Sequence, residues 1–416
     1  MKIAIIGGGA AGLMCACRLA GIDNGHEVIV IEKNSETGKK LLLTGNSRCN
    51  ITNLVDVQEF LESVPRNAKF LSSSLYRFSP SDTVEFFEQL GVRVKVEDNN
   101  RVFPLVGGAQ AIKQVMEDFA KSKGVKFWLG ADVDEVIKKD VGFDVEIKGR
   151  IEYSDRVIIA TGGVSFPMTG SGGAGFDFAR KLGHSVVSPR ASLCGLMLAK
   201  STGVHGVTIN CGVEILSSGE MSDGIMAKSK FTPLTKREVG NLLFTKSGVS
   251  GPCIFRSVAR FSGHSIKRHW LQIDFVPSLT HGTLEEDVLQ YIADNPRKQI
   301  LSLVREYVPE SVADFIISVT TLNESLVIGQ ITKEERKNVV NALKALRVVI
   351  KDFESIDGAT ITRGGVCVNE VNPKTMESKL VADLYFIGEV LDVDALSGGF
   401  NLQIAFSTAV ACADAL

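Results

Sequence analysis

A glycine-rich segment near the start of the chain has the residue types and spacing that bind a dinucleotide. Residues 7–12 read Gly-Gly-Gly-Ala-Ala-Gly and match the pattern G-x-G-x-x-G. In this pattern Gly7 makes a tight turn, Gly9 lets the backbone approach a pyrophosphate, and Gly12 allows a helix to pack closely on a strand. The free N–H groups and positive dipole end of a helix that begins here would bind the phosphates.

The surrounding sequence supports this interpretation. Residues 2–6 form a short apolar run typical of a buried strand, and residues 28–31 predict a second strand. Glu32 follows that second strand and lies twenty residues beyond Gly12, where an acid binds the hydroxyl pair of a ribose. An acid at this position argues against a 2′-phosphate, so the pattern favours FAD or NAD over NADP and leaves those two open.

Composition excludes several other classes of protein. The chain has 416 residues, of which 44% are hydrophobic and 23% charged, with a formal net charge of −2. These values predict two or three globular domains and exclude a strongly basic nucleic-acid-binding chain. Eight scattered cysteines without zinc spacing indicate a reduced, cytoplasmic protein without a structural metal. The sequence contains no uninterrupted apolar stretch of about 20 residues, so no membrane span is predicted.

A second segment of the chain resembles the signature of a known family. Residues 39–53 read KKLLLTGNSRCNITN and resemble the signature G-[KR]-K-x-x-x-[ST]-G-x-G-R-C-N-x-T-N of a bacterial flavoprotein family. This family comprises the BaiN/RdsA-like NAD(P)/FAD-dependent oxidoreductases, which include aminoacetone-oxidase-like enzymes. Ser47 stands where the family usually has glycine, so the loop backbone is expected to differ slightly there.

The resemblance extends along almost the whole chain. Further blocks that resemble the family are residues 101–104 (RVFP), 160–167 (ATGGVSFP), 170–172 (GSG), 243–252 (LFTKSGVSGP), 362–366 (TRGGV), 388–392 (GEVLD) and 398–403 (GGFNLQ). Lys246 replaces the usual histidine in the fourth of these blocks. The resemblance implies FAD as the cofactor and an α/β fold in which a Rossmann-type FAD-binding domain, like that of two-dinucleotide-fold flavoproteins, is interrupted by an insert.

Two glycine-terminated strands are expected at the ligand-binding edge of the sheet, over residues 156–163 and 384–389. In two-dinucleotide-fold flavoproteins generally, the later strand carries an acid that meets the ribityl and pyrophosphate region. Glu389 and Asp392 are both candidates for that contact, with a turn-capping role as the alternative for Asp392. Together with the family resemblance, these patterns predict cofactor contacts at Gly7, Gly9, Ala10, Ala11, Gly12, Glu32, Lys33, Lys40, Thr44, Arg48, Cys49, Asn50, Val133, Thr161, Gly162, Gly388, Glu389, Asp392, Asn401 and Leu402.

Three of these predictions have specific roles. The helix that begins near Asn401 and Leu402 would aim its N-terminus at the C2 carbonyl of the isoalloxazine, where reduced flavin gathers negative charge. The alternative is a plain C-terminal docking helix. Val133 lies on a strand that resembles the one whose main chain meets adenine in related flavoproteins.

Residues 170–175 (GSGGAG) also satisfy G-x-G-x-x-G, but no strand directly precedes them and no acid follows at the right distance. A flexible lid or turn is the favoured interpretation. Without a second nucleotide-binding unit, NAD(P)H would act as a transiently bound reductant, and the substrate or another protein are alternative hydride sources.

The pattern changes in the middle of the chain. Residues 191–282 carry short alternating runs that predict a β-barrel-like or sandwich subdomain, and residues 283–346 predict helices. The FAD-binding domain is expected to comprise residues 1–190 and 347–416. An insert of this kind usually carries substrate specificity, with a scaffold or oligomer contact as the alternative.

Arg48 and Cys49 are the predicted catalytic residues. The Cys49 thiol could protonate a carbon after hydride attack, and Arg48 could stabilise anionic flavin or orient a carbonyl group. Cys49 could equally be a small hydrophobic residue that packs the loop.

The predicted function is FAD-dependent hydride transfer to or from a C=C or C–N bond. Uracil in ribosomal RNA and a small amine, ketone or enone are the candidate substrates, and RNA would bind basic clusters such as Lys39–Lys40, Arg347–Lys351 and Lys228–Lys230 with Lys236–Arg237. The alternatives are a non-catalytic FAD-binding redox sensor or scaffold and an NAD-only dehydrogenase. No feature of the sequence specifies an oligomeric state.

Overall fold

The structure, a computed structural model, describes residues 1–22, 25–217, 231–261, 265–266 and 269–416. The basic cluster at Lys228–Lys230 lies outside these ranges. The chain forms two compact units: Met1–Ser192 with Ile356–Leu416, and Leu193–Ser355.

Strands alternate with helices in the first unit and dominate the start of the second. In the described ranges they are β1 (Lys2–Ile6), β2 (Glu27–Glu32), β3 (Thr52–Asn53), β4 (Val94–Glu97), β5 (Arg101–Pro104), β6 (Lys126–Leu129), β7 (Val133–Lys138), β8 (Phe143–Ile147), β9 (Arg150–Ser154), β10 (Arg156–Ile159), β11 (Val186–Ser192), β12 (Leu196–Leu198), β13 (Thr208–Ser217), β14 (Thr232–Pro233), β15 (Glu238–Phe244), β16 (Gly248–Ser250), β17 (Trp270–Asp274), β18 (Leu346–Phe353), β19 (Ile361–Val366) and β20 (Leu384–Phe386).

The helices of the same ranges fall mainly between these strands and at the C-terminus. They are α1 (Ala10–Gly21), α2 (Lys39–Leu42), α3 (Val57–Glu62), α4 (Ala68–Arg77), α5 (Pro80–Gln89), α6 (Gly108–Ser122), α7 (Ala174–Lys181), α8 (Pro252–Arg260), α9 (His281–Asp294), α10 (Ile300–Arg305), α11 (Glu310–Val319), α12 (Lys333–Lys344) and α13 (Phe400–Ala413).

A five-stranded parallel sheet forms the centre of the first unit. Its strand order is β20-β10-β1-β2-β6, and every neighbouring pair is parallel. The middle strands are continuous apolar runs because both of their faces are covered. Since parallel strands end at the same edge, the segments after β1, β2, β10 and β20 meet there. This edge carries the candidate site.

Smaller sheets complete the first unit. Strands β3, β5 and β4 form one antiparallel sheet, β7, β8 and β9 form another, and β11 pairs with β19 in a two-stranded ribbon. Helix α13 is buried along its length, and only its second and third residues, Asn401 and Leu402, are partly exposed.

The second unit contains a closed antiparallel barrel. Its strands follow the order β14-β13-β15-β16-β12-β18-β17, and β13 also pairs with β17. That additional pairing closes a ring of six strands, with β14 attached outside it. Helices α9 to α12 lie in the chain between β17 and β18. The predicted fold class, a Rossmann-type domain interrupted by a barrel-like and helical insert, is confirmed.

The unit boundaries differ from the domain boundaries that we predicted. The second unit extends to Ser355, whereas the sequence suggested that the FAD-binding domain resumes at residue 347. The reason is strand β18, which lies between β12 and β17 in the barrel. The β-rich and helical parts of the insert also form one unit rather than two.

Candidate functional site

The turn between β1 and α1 leaves open space at Gly9 and none at Gly12. A Cβ atom added to Gly9 would meet no atom within 4 Å, whereas one added to Gly12 would overlap the carbonyl oxygen of Gly7. Gly7 itself has a φ of +108°, a conformation that favours glycine. The helix start thus presents uncapped main-chain N–H groups, including those of Ala10 and Ala11, toward open space. This is a cradle that fits a pyrophosphate.

Glu32 lies beside this turn at the end of β2. Its carboxylate is buried and accepts hydrogen bonds from the Gly8 N–H at 2.8 Å and from the Asn34 N–H at 2.8 Å. The Glu32 carbonyl accepts the Ala131 N–H at 3.0 Å, which brings the start of β7, with the buried Val133, to the same edge. The predicted ribose and adenine contacts are therefore neighbours.

Lys40 and Glu389, which lie far apart in sequence, form one polar network. The Lys40 Nζ atom lies 2.7 Å from Glu389 Oε2 and 2.7 Å from Ser165 Oγ. Glu389 Oε1 also accepts the Thr362 N–H at 2.8 Å. Ser165 and Thr362 were missed as site residues, although both lie in the family-like blocks ATGGVSFP and TRGGV. The network fixes the orientation of the Glu389 carboxylate.

Thr161, Gly162 and Gly388 follow the neighbouring strands β10 and β20. Gly162 and Gly388 have φ values of +72° and +73°, so these strands leave the sheet through turns that favour glycine. The buried Thr161 Oγ1 atom has no hydrogen-bond partner among the described residues. It is one polar atom at this edge that a ligand could satisfy.

The N-terminus of α13 presents main-chain donors in the same way as α1. Gly399, with a φ of +99°, precedes the helix and cannot cap it with a side chain. The Asn401 side chain is occupied elsewhere, because its Oδ1 atom accepts the Ala395 N–H at 2.9 Å. The main-chain N–H groups of Asn401 and Leu402 are therefore the groups that can meet a ligand.

An unsatisfied acceptor lies beside these donors. The buried Asn50 Oδ1 atom has no hydrogen-bond partner in the described part of the chain, and a Cβ added to Gly399 would come within 3.0 Å of it. A buried acceptor without a partner is costly in a folded protein. The pyrimidine end of an isoalloxazine ring has an N–H next to a carbonyl, so Asn50 and the start of α13 match it. The residues present fit FAD.

Arg48 and Cys49 are adjacent in sequence but differ in exposure. The Arg48 side chain is exposed, stacks 4.1 Å above the Phe103 ring and pairs with Glu97. Arg48, followed by Lys95, lowers the pKa of Glu97 to about 2. Cys49 is completely buried, and burial raises the pKa of its thiol to about 12. Its burial favours the packing alternative, and the catalytic role stays a prediction.

Thr44, Lys33 and Asp392 have local partners. The Thr44 hydroxyl donates to the Leu41 carbonyl at 2.6 Å. The exposed Lys33 lies against the glycines of residues 170–172. Asp392 accepts hydrogen bonds from Arg66 and from the Asn67 side chain. Of the two acids left open by the sequence, only Glu389 therefore lies in the network with Lys40.

The second glycine-rich segment packs against the first nucleotide-binding region. The Asn34 amide donates to the Thr169 carbonyl at 3.0 Å, and a Cβ at Gly170 would meet that amide nitrogen at 2.5 Å. A Cβ at Gly175 would overlap the Thr161 hydroxyl. These glycines permit close packing beside the candidate site, in agreement with a turn rather than a second nucleotide-binding unit.

Solved structures and curated relatives resemble this chain over nearly its full length. The open form of a flavocytochrome c3 fumarate reductase matches with a TM-score of 0.51 and 16% identity, over 100% of this chain and 78% of that chain. A 3-ketosteroid-delta4-(5alpha)-dehydrogenase from Rhodococcus jostii RHA1 matches with a TM-score of 0.51 and 13% identity, over 100% and 97%. These likenesses concern the fold.

Two relatives are more similar in sequence. The ribosomal RNA dihydrouridine synthase of Escherichia coli strain K12 is 30% identical, over 99% of this chain and 97% of its own. The 3-dehydro-bile acid delta(4,6)-reductase of Clostridium scindens is 28% identical, over 98% and 97%.

The fold and the site define an FAD-dependent oxidoreductase with a Rossmann-type FAD-binding domain. Within that class, the model of the HI0933-like protein Rossmann domain matches residues 1–415, and the chain belongs to this family. The predicted BaiN/RdsA-like assignment, the enzyme class and FAD as cofactor are confirmed. In the described ranges, no helix is long and apolar enough to cross a membrane, and no group of three or more His, Cys, Asp or Glu residues could hold a metal ion.

Proposed function

We propose that this enzyme reduces a carbon–carbon double bond that is conjugated to a carbonyl group, with uracil in ribosomal RNA as the first substrate to test. The observation that carries the proposal is the likeness to the two relatives over at least 97% of each chain. Dihydrouridine is uridine with its ring double bond saturated, and a delta(4,6)-reductase also acts on ring double bonds. A steroid-like enone is the second candidate, because the bile acid reductase is nearly as similar.

Reduced FAD, when bound, supplies a hydride from N5, and the substrate gains that hydride on one carbon and a proton on the other. The chain's own residues would hold the cofactor and stabilise the negative charge of its reduced ring. The N–H groups at the start of α13 would stabilise negative charge at the pyrimidine end of the flavin, and Asn50 Oδ1 would accept a hydrogen bond from it. Glu389, whose carboxylate accepts hydrogen bonds from Lys40 and Ser165, would accept hydrogen bonds from hydroxyl groups of the cofactor.

The two predicted catalytic residues would act on the substrate side. Arg48 would orient the substrate carbonyl by donating hydrogen bonds. Cys49 keeps its proton at neutral pH because burial raises its thiol pKa to about 12, and proton donation would require the substrate to reach that buried sulfur. NADH or NADPH would bind transiently, and a ribosomal RNA substrate would be met in the cytoplasm.

The test begins with the visible spectrum of the purified protein and anaerobic addition of NADH or NADPH. If the flavin bands bleach, the reduced enzyme is incubated with ribosomal RNA. The RNA should then contain uridine that has gained two hydrogens, detected by mass spectrometry. The variant Gly9→Val, which should lose FAD, is the negative control. Bleaching without reduction of either RNA or an enone steroid would refute the proposed substrates, and FAD that never turns over would favour the redox-sensor alternative.

The variant Cys49→Ala separates the two roles of that residue. If Cys49 donates a proton, this variant should retain FAD and be reduced by NADPH normally, but reduce the substrate more slowly. Full activity would remove Cys49 from catalysis and assign it to packing.

A further inference from the structure

The side chain of Gln403 is the centre of a buried polar network in the first turns of helix α13. Its Oε1 atom accepts hydrogen bonds from the hydroxyls of Thr52 at 2.6 Å and Thr83 at 2.8 Å. Its Nε2 atom donates to the Phe78 carbonyl at 3.1 Å and to the Ser407 hydroxyl at 3.0 Å. A side-chain amide has two acceptor sites on its oxygen and two hydrogens to donate, so this amide is fully hydrogen-bonded.

The network lies completely inside the first unit. No surface is exposed by any of its four polar side chains, those of Thr52, Thr83, Gln403 and Ser407. The Ser407 hydroxyl donates its own hydrogen to the Phe78 carbonyl at 2.7 Å. A buried amide is costly unless its hydrogen bonds are made, and a fully bonded network stabilises one particular arrangement of the segments that it joins. The segments joined here are β3, α5 and α13.

The bond between Thr52 and Gln403 joins the two parts of the candidate site that match the pyrimidine end of a flavin. Thr52 lies two residues after Asn50, whose buried Oδ1 atom is the unsatisfied acceptor. Gln403 lies one turn into the helix whose first main-chain N–H groups are the donors, and its own N–H bonds to the Gly399 carbonyl at 3.1 Å. A Cβ added to Gly399 would overlap the Thr52 carbonyl, so the helix start and the β3 backbone are in contact.

The bond between Thr83 and Gln403 leads away from the site. Thr83 lies in α5, a helix that contributes none of the predicted cofactor contacts. Asn53 supplies a second bond from β3, to the Gly398 carbonyl at 2.9 Å, but that carbonyl precedes α13. Thr52 and Thr83 therefore form a matched pair, because both hydroxyls donate to the same oxygen and only Thr52 belongs to the segment that carries Asn50.

We propose that Gln403 is a positioning residue for the flavin. Through Thr52 it holds the Asn50 acceptor in a fixed place beside the main-chain donors of α13. That placement sets how tightly this end of the site binds the flavin, and how well it stabilises the negative charge of the reduced ring. Gln403 acts through its neighbours and not by contact with the cofactor. The inference rests on the candidate FAD site and is independent of the substrate.

The experiment compares Thr52→Val with Thr83→Val in the full chain. Valine has nearly the shape of threonine and lacks the hydroxyl, so each variant removes one hydrogen bond to Gln403 Oε1. Three quantities are measured for each variant: the melting temperature of the apoprotein, the Kd for FAD, and the midpoint potential of the bound flavin. Thr52→Ser, which keeps the hydroxyl, is the conservative variant, and Gln403→Met removes all four hydrogen bonds of the amide.

Both valine variants should lower the melting temperature of the apoprotein by similar amounts, because each loses one buried hydrogen bond to the same atom. Only Thr52→Val should raise the Kd for FAD, by roughly two- to tenfold. Its midpoint potential should become more negative, because displaced donors stabilise the reduced ring less. Gln403→Met should change both flavin quantities in the same directions. Thr83→Val and Thr52→Ser should match the wild type in both.

Two results would overturn the inference. One is a Thr52→Val variant with the Kd and midpoint potential of the wild type, and the other is an equal change of both quantities in Thr83→Val, which would indicate general loosening of the core. The threonine pair decides between these outcomes even where Gln403→Met does not fold. No substrate is added, so an enzyme that reduces neither uracil nor an enone would retain this role of Gln403 and refute only the proposed reaction.

Discussion

Replacing Asn50 by leucine should affect the apoprotein and the FAD complex in opposite directions. The Asn50 Oδ1 atom is buried without a hydrogen-bond partner in the described chain, and burying such an acceptor costs about 1–3 kcal/mol. Leucine has a similar size and no polar atom. The apoprotein of Asn50→Leu should therefore be more stable than wild-type apoprotein by about 1 kcal/mol or more.

The same substitution should weaken FAD binding. A hydrogen bond between Oδ1 and the pyrimidine N–H of the cofactor contributes about 0.5–1.5 kcal/mol net, and each 1.4 kcal/mol changes Kd tenfold. We expect the Kd for FAD to rise by roughly two- to tenfold. Urea denaturation of the apoprotein gives the first quantity, and fluorescence titration with FAD gives the second.

Asn53→Leu is a matched comparison. The Asn53 Oδ1 atom is likewise buried without a partner among the described residues, but the Asn53 amide donates to the carbonyls of Gly398 and Asn99 at 2.9 and 3.0 Å. Because the loss of these two bonds outweighs the removal of one unsatisfied acceptor, Asn53→Leu should destabilise the apoprotein. Refutation would be an Asn50→Leu apoprotein that is less stable than wild type, or one that binds FAD with unchanged affinity. The first result would mean that Oδ1 has a partner without FAD, and the second that FAD does not use it.

Three further predictions test neighbouring features. Gly9→Val should fold with near wild-type apoprotein stability but retain no FAD, whereas Gly12→Val should fail to fold because its side chain overlaps the Gly7 carbonyl. Circular dichroism measures folding and bound-flavin absorbance measures FAD retention, so together they distinguish these outcomes. Ser47→Gly should stabilise the chain by about 1 kcal/mol in urea denaturation, because Ser47 has a φ of +64°, and an equal gain with alanine would contradict this reason. The Glu97 pKa is lowered to about 2 from 4.5, so the stability that its carboxylate contributes is present above about pH 4.5 and is lost as the pH falls toward 2. Between these pH values the melting temperature of Glu97→Gln should fall less than that of the wild type.

The parts of the site that sequence could predict are those that a local pattern fixes. The spacing of Gly7, Gly9 and Gly12 and the position of Glu32 follow from one βαβ unit, whose parallel strands bring them to a common edge. The sequence also showed that Ser47 stands where the family signature usually has glycine. The structure keeps the left-handed backbone there despite the missing glycine, because the neighbouring backbone hydrogen bonds, such as Cys49 N–H to the Thr44 carbonyl, fix the loop.

The parts that sequence could not predict depend on contacts between distant segments. Nothing local to Asp392 shows that Arg66 will bind it, and nothing local to Thr362 shows that its N–H will reach Glu389. The same reason explains why the second unit extends to Ser355 and not only to residue 346. The sequence of strand β18 does not show which sheet it joins, and only its pairing with β12 and β17 assigns it to the barrel.

The two helix starts at the ligand edge follow one design with different consequences. Helices α1 and α13 both follow a glycine that cannot cap them, so each leaves main-chain donors for a ligand. At α1 these donors face open space alone, which suits a phosphate group that only accepts hydrogen bonds. At α13 the unsatisfied acceptor of Asn50 stands beside them, which suits a ring edge with both a carbonyl and an N–H. The pairing of donor and acceptor, more than the glycine pattern, is the feature of this end of the site that fits a flavin.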